Sequence, residues 1–448
     1  MKRLFLLSVL SILLTTAAGA QDKVWSLEEC MHYAVENSPS IKKQEYANAN
    51  YRQDYISAIA NMLPSVSGGV GTGNSYGRSL NPQTNIYEDD SRSFSNSYSI
   101  SAGLTLFNGF NLINQLRVSK INRLKGKDEL QKVTDDISLR VMQNYFDVVY
   151  NSGAVRMLAD KLEESRLTLR MLKEKEELGL SSSADVAQAE AQLATDDTNL
   201  TRQQNMLTNS RVNLKNAMNY PLDKSLPVDT LIRIVPLGNE ETPEQLFAFA
   251  RDNNSSARIS SRSLRVSELN YSMSKGRLYP SISFGAGYNT YYNMINGVAV
   301  NPFSKQFSGN MGKSFSFSMS IPIFNGLSRR TSVNRSRNYL RIAEQDNAET
   351  MRQLQSDIQQ AVDDCEGLAK EFMQATKQLN ATTLAHRANQ RKFEEGLLSQ
   401  LELQTSANNL LQSRSRLLDV RLRYIIKCRL IDYYKGIPYL EQVKQRGL

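Results

Sequence analysis

The chain is written twice. SLEECMHYAVENSPS (Ser26 to Ser40) aligns with TPEQLFAFARDNNSS (Thr242 to Ser256) at a displacement of 216 residues, and LPSVS from Leu63 returns at the same displacement as YPSIS from Tyr279. FNG at Phe107 to Gly109 recurs at Phe324 to Gly326, now displaced by 217, as do Gly179 with Gly396 and Pro221 with Pro438. One residue inserted between paired β-segments accounts for the change. Long-period self-similarity constrains the whole fold, because one supersecondary unit must be usable twice. The two copies are read as 21–235 and 236–448.

Each copy has the same order. A capped amphipathic start leads into a helix, which Pro64 or Pro280 ends, since helices rarely continue through such a site. A strand is predicted at about 65–76 in the first copy and 281–292 in the second. A loop rich in Asn, Ser, Gly and Asp follows, then a return strand at about 94–107 or 314–324.

The return strands alternate strictly. FSNSYSISAGLTL places Phe94, Tyr98, Ile100 and Leu104 on one side and Ser95, Ser97, Ser99 and Ser101 on the other. SFSFSMSIPI does the same with Phe315, Phe317 and Ile321 against Ser314, Ser316, Ser318 and Ser320. Period two means an extended strand whose faces see different surroundings. The second face carries no charge, which fits a narrow polar interior with the apolar face turned to lipid. SVSGGVGTG alternates more weakly, and Pro322 removes a ladder hydrogen bond near the end of its strand.

After FNG the pattern becomes helical for a long way. Proline is absent from Gln83 to Tyr220 and from Ile323 to Ile437. A helix from Phe110 to Leu178 would measure on the order of 100 Å and needs an equally long partner. Val186, Leu193, Leu200, Leu207 and Leu214 recur at sevens, and so do Leu403, Leu410, Leu417, Tyr424 and Ile431. Such a repeat keeps one seam against a neighbour, as in coiled coils. The hairpins turn at Gly179 and Gly396, placed for left-handed caps, with Ser182 or Ser183 and Ser399 placed to cap the following helix.

Counting strands then decides the assembly. One chain supplies four, whereas known single-chain bacterial barrels start at about eight. An open sheet cannot sit in lipid, so the barrel must be shared. Two chains would give eight strands and a filled interior; three would give twelve and a hollow lumen lined by serine. Phe107 and Phe324, at the strand-to-helix junctions, are placed for the aromatic belt.

The N-terminus, MKRLFLLSVLSILLTTAAGA, has a basic start, a short apolar core and a small-residue cleavage site, so residues 1–20 are read as an export signal. Its loss removes Lys2 and Arg3 and takes the net charge from +9 to +7. The basic cluster Arg329, Arg330, Arg335, Arg337 and Arg341 has no interleaved aromatic residues and reads as a solvated helix face, not a nucleic-acid site. Cys30, Cys365 and Cys428, an odd count without metal-ligand spacing, are no disulfide framework; one pair could form in an oxidising compartment, but buried thiols on helices are the expected reading. His32 and His386 are the only histidines, with no metal or triad context, and GGVGTGN lacks the Lys-Ser/Thr of a phosphate loop. A passive protein is expected, without catalytic residues, metal or cofactor.

The doubled helix–strand–strand–helix unit, the LPS/YPS breaks, the FNG junctions and the Gly-x-x-Ser turns together resemble the TolC-like family of outer-membrane efflux proteins, over nearly the whole mature chain. The resemblance implies a mixed α and β fold. Three copies would share a 12-stranded barrel, four strands per chain, continued by a long periplasmic α-helical coiled-coil barrel. It implies an exit duct for efflux or type I secretion that docks by its helical tips, Gly179, Ser182, Gly396 and Ser399, onto a periplasmic adaptor joined to an inner-membrane transporter. Acidic rings six and nine residues after the second hairpin glycine would be Glu402 and Thr405 here, so only the first keeps its charge. Asp185 matches a latch position of the first repeat, while Leu398 stands where the family's latch arginine would be. The simpler reading of Glu402 and Asp185 is helix N-terminal charge favoured by the macrodipole. A rival reading of the chain is a barrel-anchored structural or adhesive rod without transport; a soluble periplasmic scaffold is disfavoured by the four uncharged strands.

Overall fold

A computed structural model describes residues 24–80, 84–230, 241–297 and 299–446; the export signal lies outside them. The elements run α1 (Leu27–Asn37), α2 (Pro39–Ala60), β1 (Ser65–Leu80), β2 (Tyr87–Asn108), α3 (Asn111–Glu177), α4 (Ser183–Met218), α5 (Pro243–Asn253), α6 (Ser255–Gly276), β3 (Ser281–Ile295), α7 (Phe303–Gly309), β4 (Gly312–Ser320), α8 (Ser328–Glu394), α9 (Gln400–Tyr434) and α10 (Tyr439–Arg446). They form two compact units, one of residues up to Gln44, Leu130–Ala257 and from Met351 onward, the other of Glu45–Glu129 and Arg258–Thr350.

The first unit is helical. Reciprocal capping boxes start α1 (Ser26 with Glu29) and α5 (Thr242 with Gln245), each satisfying two otherwise orphaned N–H groups. One core cluster gathers Met31, Val141, Met142, Leu214 and Met218; another gathers Leu246, Ile358, Val362, Val420 and Ile431. The seven-residue seams are buried at Val186, Leu207, Leu214, Leu403, Leu410, Tyr424 and Ile431, and half-buried at Leu193, Leu200 and Leu417.

The second unit carries the sheet, with strand order β1-β2-β3-β4 and every neighbouring pair antiparallel. Three strands are longer than expected, reaching Leu80, starting at Tyr87 and reaching Ile295. β4 is shorter. It ends at Ser320, so Ile321 and the rest of 321–324 lie beyond the ladder, because Pro322 has no N–H to donate. The β3–β4 connection holds an unexpected helix, α7. Its Phe303 and Phe307 rings lie 6.3 and 5.4 Å from Tyr98, and Thr290 donates to the Phe307 carbonyl at 2.7 Å.

Both FNG junctions adopt one backbone form: Gly109 and Phe110 have φ of 65° and 63°, Gly326 and Leu327 of 60° and 65°. At Gly109 an added Cβ would fall 1.9 Å from the Gly276 carbonyl oxygen, so this turn needs glycine for closeness as well as for φ. Among the described residues, no helix is long and apolar enough to cross a membrane, and no cluster of His, Cys, Asp and Glu is disposed to hold a metal ion.

Candidate functional site: a two-faced sheet and two helical tips

Register fixes the faces of the sheet. Directly paired residues share a face, and Ser99 pairs with Gly69 on β1 and Asn289 on β3, Ser97 with Gly71 and Tyr291, Ser95 with Gly73 and Asn293. Ser316 and Ser314 pair with Gly285 and Gly287. Ser101 meets Ser67 at 2.9 Å and Ser318 meets Ser283 at 2.8 Å. All eight serines singled out in the sequence, Ser320 included, therefore lie on one face. The weak alternation of SVSGGVGTG now has a reason: three of its glycines, Gly69, Gly71 and Gly73, are the partners of serines, while Gly68 faces Ile100. A Cβ on Gly71, Gly285 or Gly287 would stand 2.8 Å from the facing serine Oγ.

The opposite face is apolar and aromatic. Ile100 pairs with Tyr288, Leu104 with Phe284, and Phe284 with Phe317. The Phe284 ring stacks near Phe315 and tilts against Phe317 at 4.9 Å. Phe315 and Phe317 are about three-quarters exposed. Phe94 and Tyr98 share this face; Phe94 contacts Tyr292, and Tyr98 is half-buried under α7. A register shift between Thr105 and Phe107 brings Phe107 opposite Ile282, which keeps an odd-numbered aromatic with the apolar residues. β1 and β4 each pair on one side only among the described residues, so the sheet has two open edges.

The helical tips are built alike. Gly179 and Gly396 have φ of 73° and 76°. Ser182 caps α4 and Ser399 caps α9, each in a reciprocal box with the acid three residues on. Asp185 accepts from Ser182 Oγ at 2.7 Å, and Glu402 accepts from Ser399 Oγ at 2.8 Å and from Ser399 N–H at 3.1 Å. These hydrogen bonds hold the Glu402 carboxyl below its ordinary range, so it is ionised at neutral pH. The structure thus gives both acids a capping role, whatever else they do. Glu402 and Thr405 are exposed on one side of α9, away from buried Leu403 and Ser406; Thr405 spends its hydroxyl on the Leu401 carbonyl at 2.8 Å. Around the turns Leu178, Leu180, Leu397 and Leu401 are exposed.

Above the tips, a polar belt joins the two hairpins. His386 Nε2 lies 3.0 Å from Glu164 Oε1, and His386 Nδ1 lies 3.2 Å from Ser406 Oγ. Gln390 donates to Glu164 at 3.0 Å, and Gln404 donates to Gln192. Burial pushes Glu164 up, but the hydrogen bond and charge of His386, with Gln390 and Lys161, outweigh it and leave the carboxyl below its ordinary value. Lys161 pairs with buried Asp196 at 2.8 Å. The His386–Glu164, Gln390–Glu164 and Gln404–Gln192 contacts tie the two hairpins together. Sequence reasoning passed over them, although one signal was present: Ala189, Asp196, Gln203 and Ser210 repeat at sevens beside the leucine seam, and Asp196 and Ser210 are buried.

The sequence profile of the outer membrane efflux protein family matches residues 31–220 and again 250–429. The chain belongs to the outer membrane efflux protein family. It is accordingly an outer-membrane efflux channel, not an enzyme, with its helical part in the periplasm. Solved structures share this efflux-protein fold at low identity. CusC, described as forming a transmembrane channel, superposes with a TM-score of 0.77 at 16% identity, covering 94% of this chain and 95% of its own. VceC, an outer membrane protein of Vibrio cholerae, gives 0.79 at 14%, covering 93% and 96%. The CmeC outer membrane channel of Campylobacter jejuni gives 0.78 at 14%, covering 93% and 85%. No curated protein matches the chain by sequence.

Proposed function

We propose that three copies of this chain close one twelve-stranded barrel and act as the passive exit duct of a tripartite efflux pump or type I secretion system. The carrying observation is a four-stranded sheet with two open edges, one serine–glycine face and one aromatic face. Unpaired edges are intolerable in lipid, and copies of the same chain supply complementary edges at no cost in new surface. The serine–glycine face lines the lumen, and Phe315, Phe317, Ile100 and Leu104 meet outer-membrane lipid. The repeats 21–235 and 236–448 alternate around the wall, and the tips at Gly179 and Gly396 meet a periplasmic adaptor, which couples the duct to an inner-membrane transporter. Exposed Leu178, Leu180 and Leu397 give that contact its apolar component. Energy comes from the transporter; opening is a shift among tip conformations that the adaptor binds unequally. Glu402 serves as the charged constriction.

Cross-linking and native mass measurement of detergent-purified protein, followed by planar-bilayer recording, test this reading. A trimer with cation-selective conductance that rises in Glu402→Ala is expected. A lone subunit without conductance sinks the duct. A trimer whose deletion leaves drug sensitivity and secretion unchanged favours a barrel-anchored rod.

A further inference from the structure

Cys365 on α8 and Cys428 on α9 bring their Sγ atoms to 2.8 Å inside the second helical hairpin. Both are buried, at 5% and 3% exposure, among Ile358, Val362, Val420 and Ile431. At this separation the two sulfurs stand well inside van der Waals contact. A disulfide needs about 2.05 Å, so a side-chain adjustment of less than ~1 Å separates the thiol pair from a bond. The pair is also polarised. The hydrogen bond from Cys428 holds the Cys365 thiol below its ordinary value, whereas the same contact and burial push Cys428 up.

The helices of this family stand in the periplasm, where disulfides form and persist. We infer that Cys365 and Cys428 are joined by a disulfide in the mature protein, closing a 63-residue loop across the turn at Gly396. The bond forms before the hairpin closes over it. The Cys365 thiolate attacks a disulfide-bearing oxidant, making a mixed disulfide and releasing one oxidant thiol. Cys428, on losing its proton, then attacks the Cys365 sulfur and expels the second. Two protein thiols lose two electrons and two protons, and the oxidant disulfide is reduced to a dithiol.

The staple is asymmetric between the repeats. At the 217-residue displacement its counterparts are Val148 and Arg211, so the first hairpin has none. In the second hairpin it ties the middle of α8 to the C-terminal part of α9 and leaves roughly 30 residues of each arm, about 45 Å, free below it. Tip motion is thereby confined to the distal half. Cys30 takes no part: it is fully buried in the other core cluster, and burial, with the Glu29 charge, pushes its thiol up to about 12.

The test is a thiol count on protein from acid-quenched cells, denatured with an alkylating reagent and measured by intact mass and peptide mapping. One alkylated cysteine per chain, Cys30, is expected before reduction and three after it, with the Cys365 and Cys428 peptides linked. Cys365→Ser should give two alkylated cysteines with or without reductant. Three alkylated cysteines in the unreduced parent protein, or a link that engages Cys30, overturns the inference.

Discussion

Replacing Lys161 with Met strips the counter-ion from a carboxylate that has almost no access to water. The side chains of Lys161 and Asp196 are 10% and 1% exposed and meet at 2.8 Å. Removing one partner of a buried pair costs ~3–5 kcal/mol, because the other charge is left uncompensated. Asp196 keeps two hydrogen bonds, from Ser165 Oγ at 2.7 Å and Gln192 Nε2 at 3.0 Å. Those put the loss near the lower end, about 3 kcal/mol, or roughly 150-fold in the local opening equilibrium. Lys161 also reaches Asn408 Oδ1 on α9 at 2.6 Å, so the effect should extend into the second hairpin. Amide hydrogen exchange of detergent-purified protein reads it: amides around residues 158–165 and 192–200 should exchange about two orders of magnitude faster. Removing both charges, with Lys161→Met and Asp196→Leu together, should restore exchange to within ~10-fold of the parent, since an apolar replacement of a buried pair is often neutral. If Lys161→Met leaves exchange unchanged within a factor of three, or the double variant is worse than the single one, the pair is not what holds the hairpin.

Three further outcomes are expected. Burial drives Asp135 up to about 7 against the pull of its hydrogen bond from Gln131. Between about pH 4 and pH 7 the folded chain therefore keeps a proton that the unfolded chain has lost, so stability falls as pH rises and levels off above 7, by up to ~4 kcal/mol. Thermal unfolding at pH 5 and pH 8 should show that slope, and Asp135→Asn should flatten it. Gly109→Ala puts a Cβ 1.9 Å from the Gly276 oxygen at a φ of 65°; the left-handed conformation alone costs roughly 1–2 kcal/mol, and outer-membrane yield should drop several-fold while Gly326→Ala, with open space around it, is milder. Cysteines placed at Ser97, Ser99 and Ser316 should react with a membrane-impermeant thiol reagent, and those at Ile100, Phe315 and Phe317 should not; equal labelling of the two sets contradicts a water-filled serine lumen.

The repeat was legible because its markers are backbone punctuation. Proline within LPS and YPS, glycine at the hairpin turns and serine at the caps act through local conformation, which sequence reports directly. The seams were legible for a similar reason, since burial at sevens needs no knowledge of the partner. What escaped depended on partners distant in sequence. α7 is seven residues long, too short to show a period, and it exists because Phe303 and Phe307 find Tyr98 and Tyr292. β4 stops at Ser320 although its alternation runs on to Ile323: side-chain pattern reports faces, whereas Pro322 controls the ladder. His386 looked isolated because Glu164 and Ser406 lie on other helices.

The pairing of serine with glycine also bears on why the unit could be used twice. A sheet that curves into a barrel crowds the side chains on its concave face and spreads those on its convex face. Facing serines across the strand would meet at the axis of curvature; serine facing glycine leaves room for it. That pairing occurs between β1 and β2 at Gly69, Gly71 and Gly73, and between β3 and β4 at Gly285 and Gly287. At two of the places where serine faces serine, Ser67 with Ser101 and Ser283 with Ser318, the hydroxyls bond to one another, and these two pairs stand at corresponding places in the two copies. Each hairpin thus carries its own solution to the curvature of the wall, independent of which hairpin lies beside it. A unit with that property can neighbour a second copy of itself within a chain or the same unit of another chain, and closure by repetition follows without any new interface chemistry.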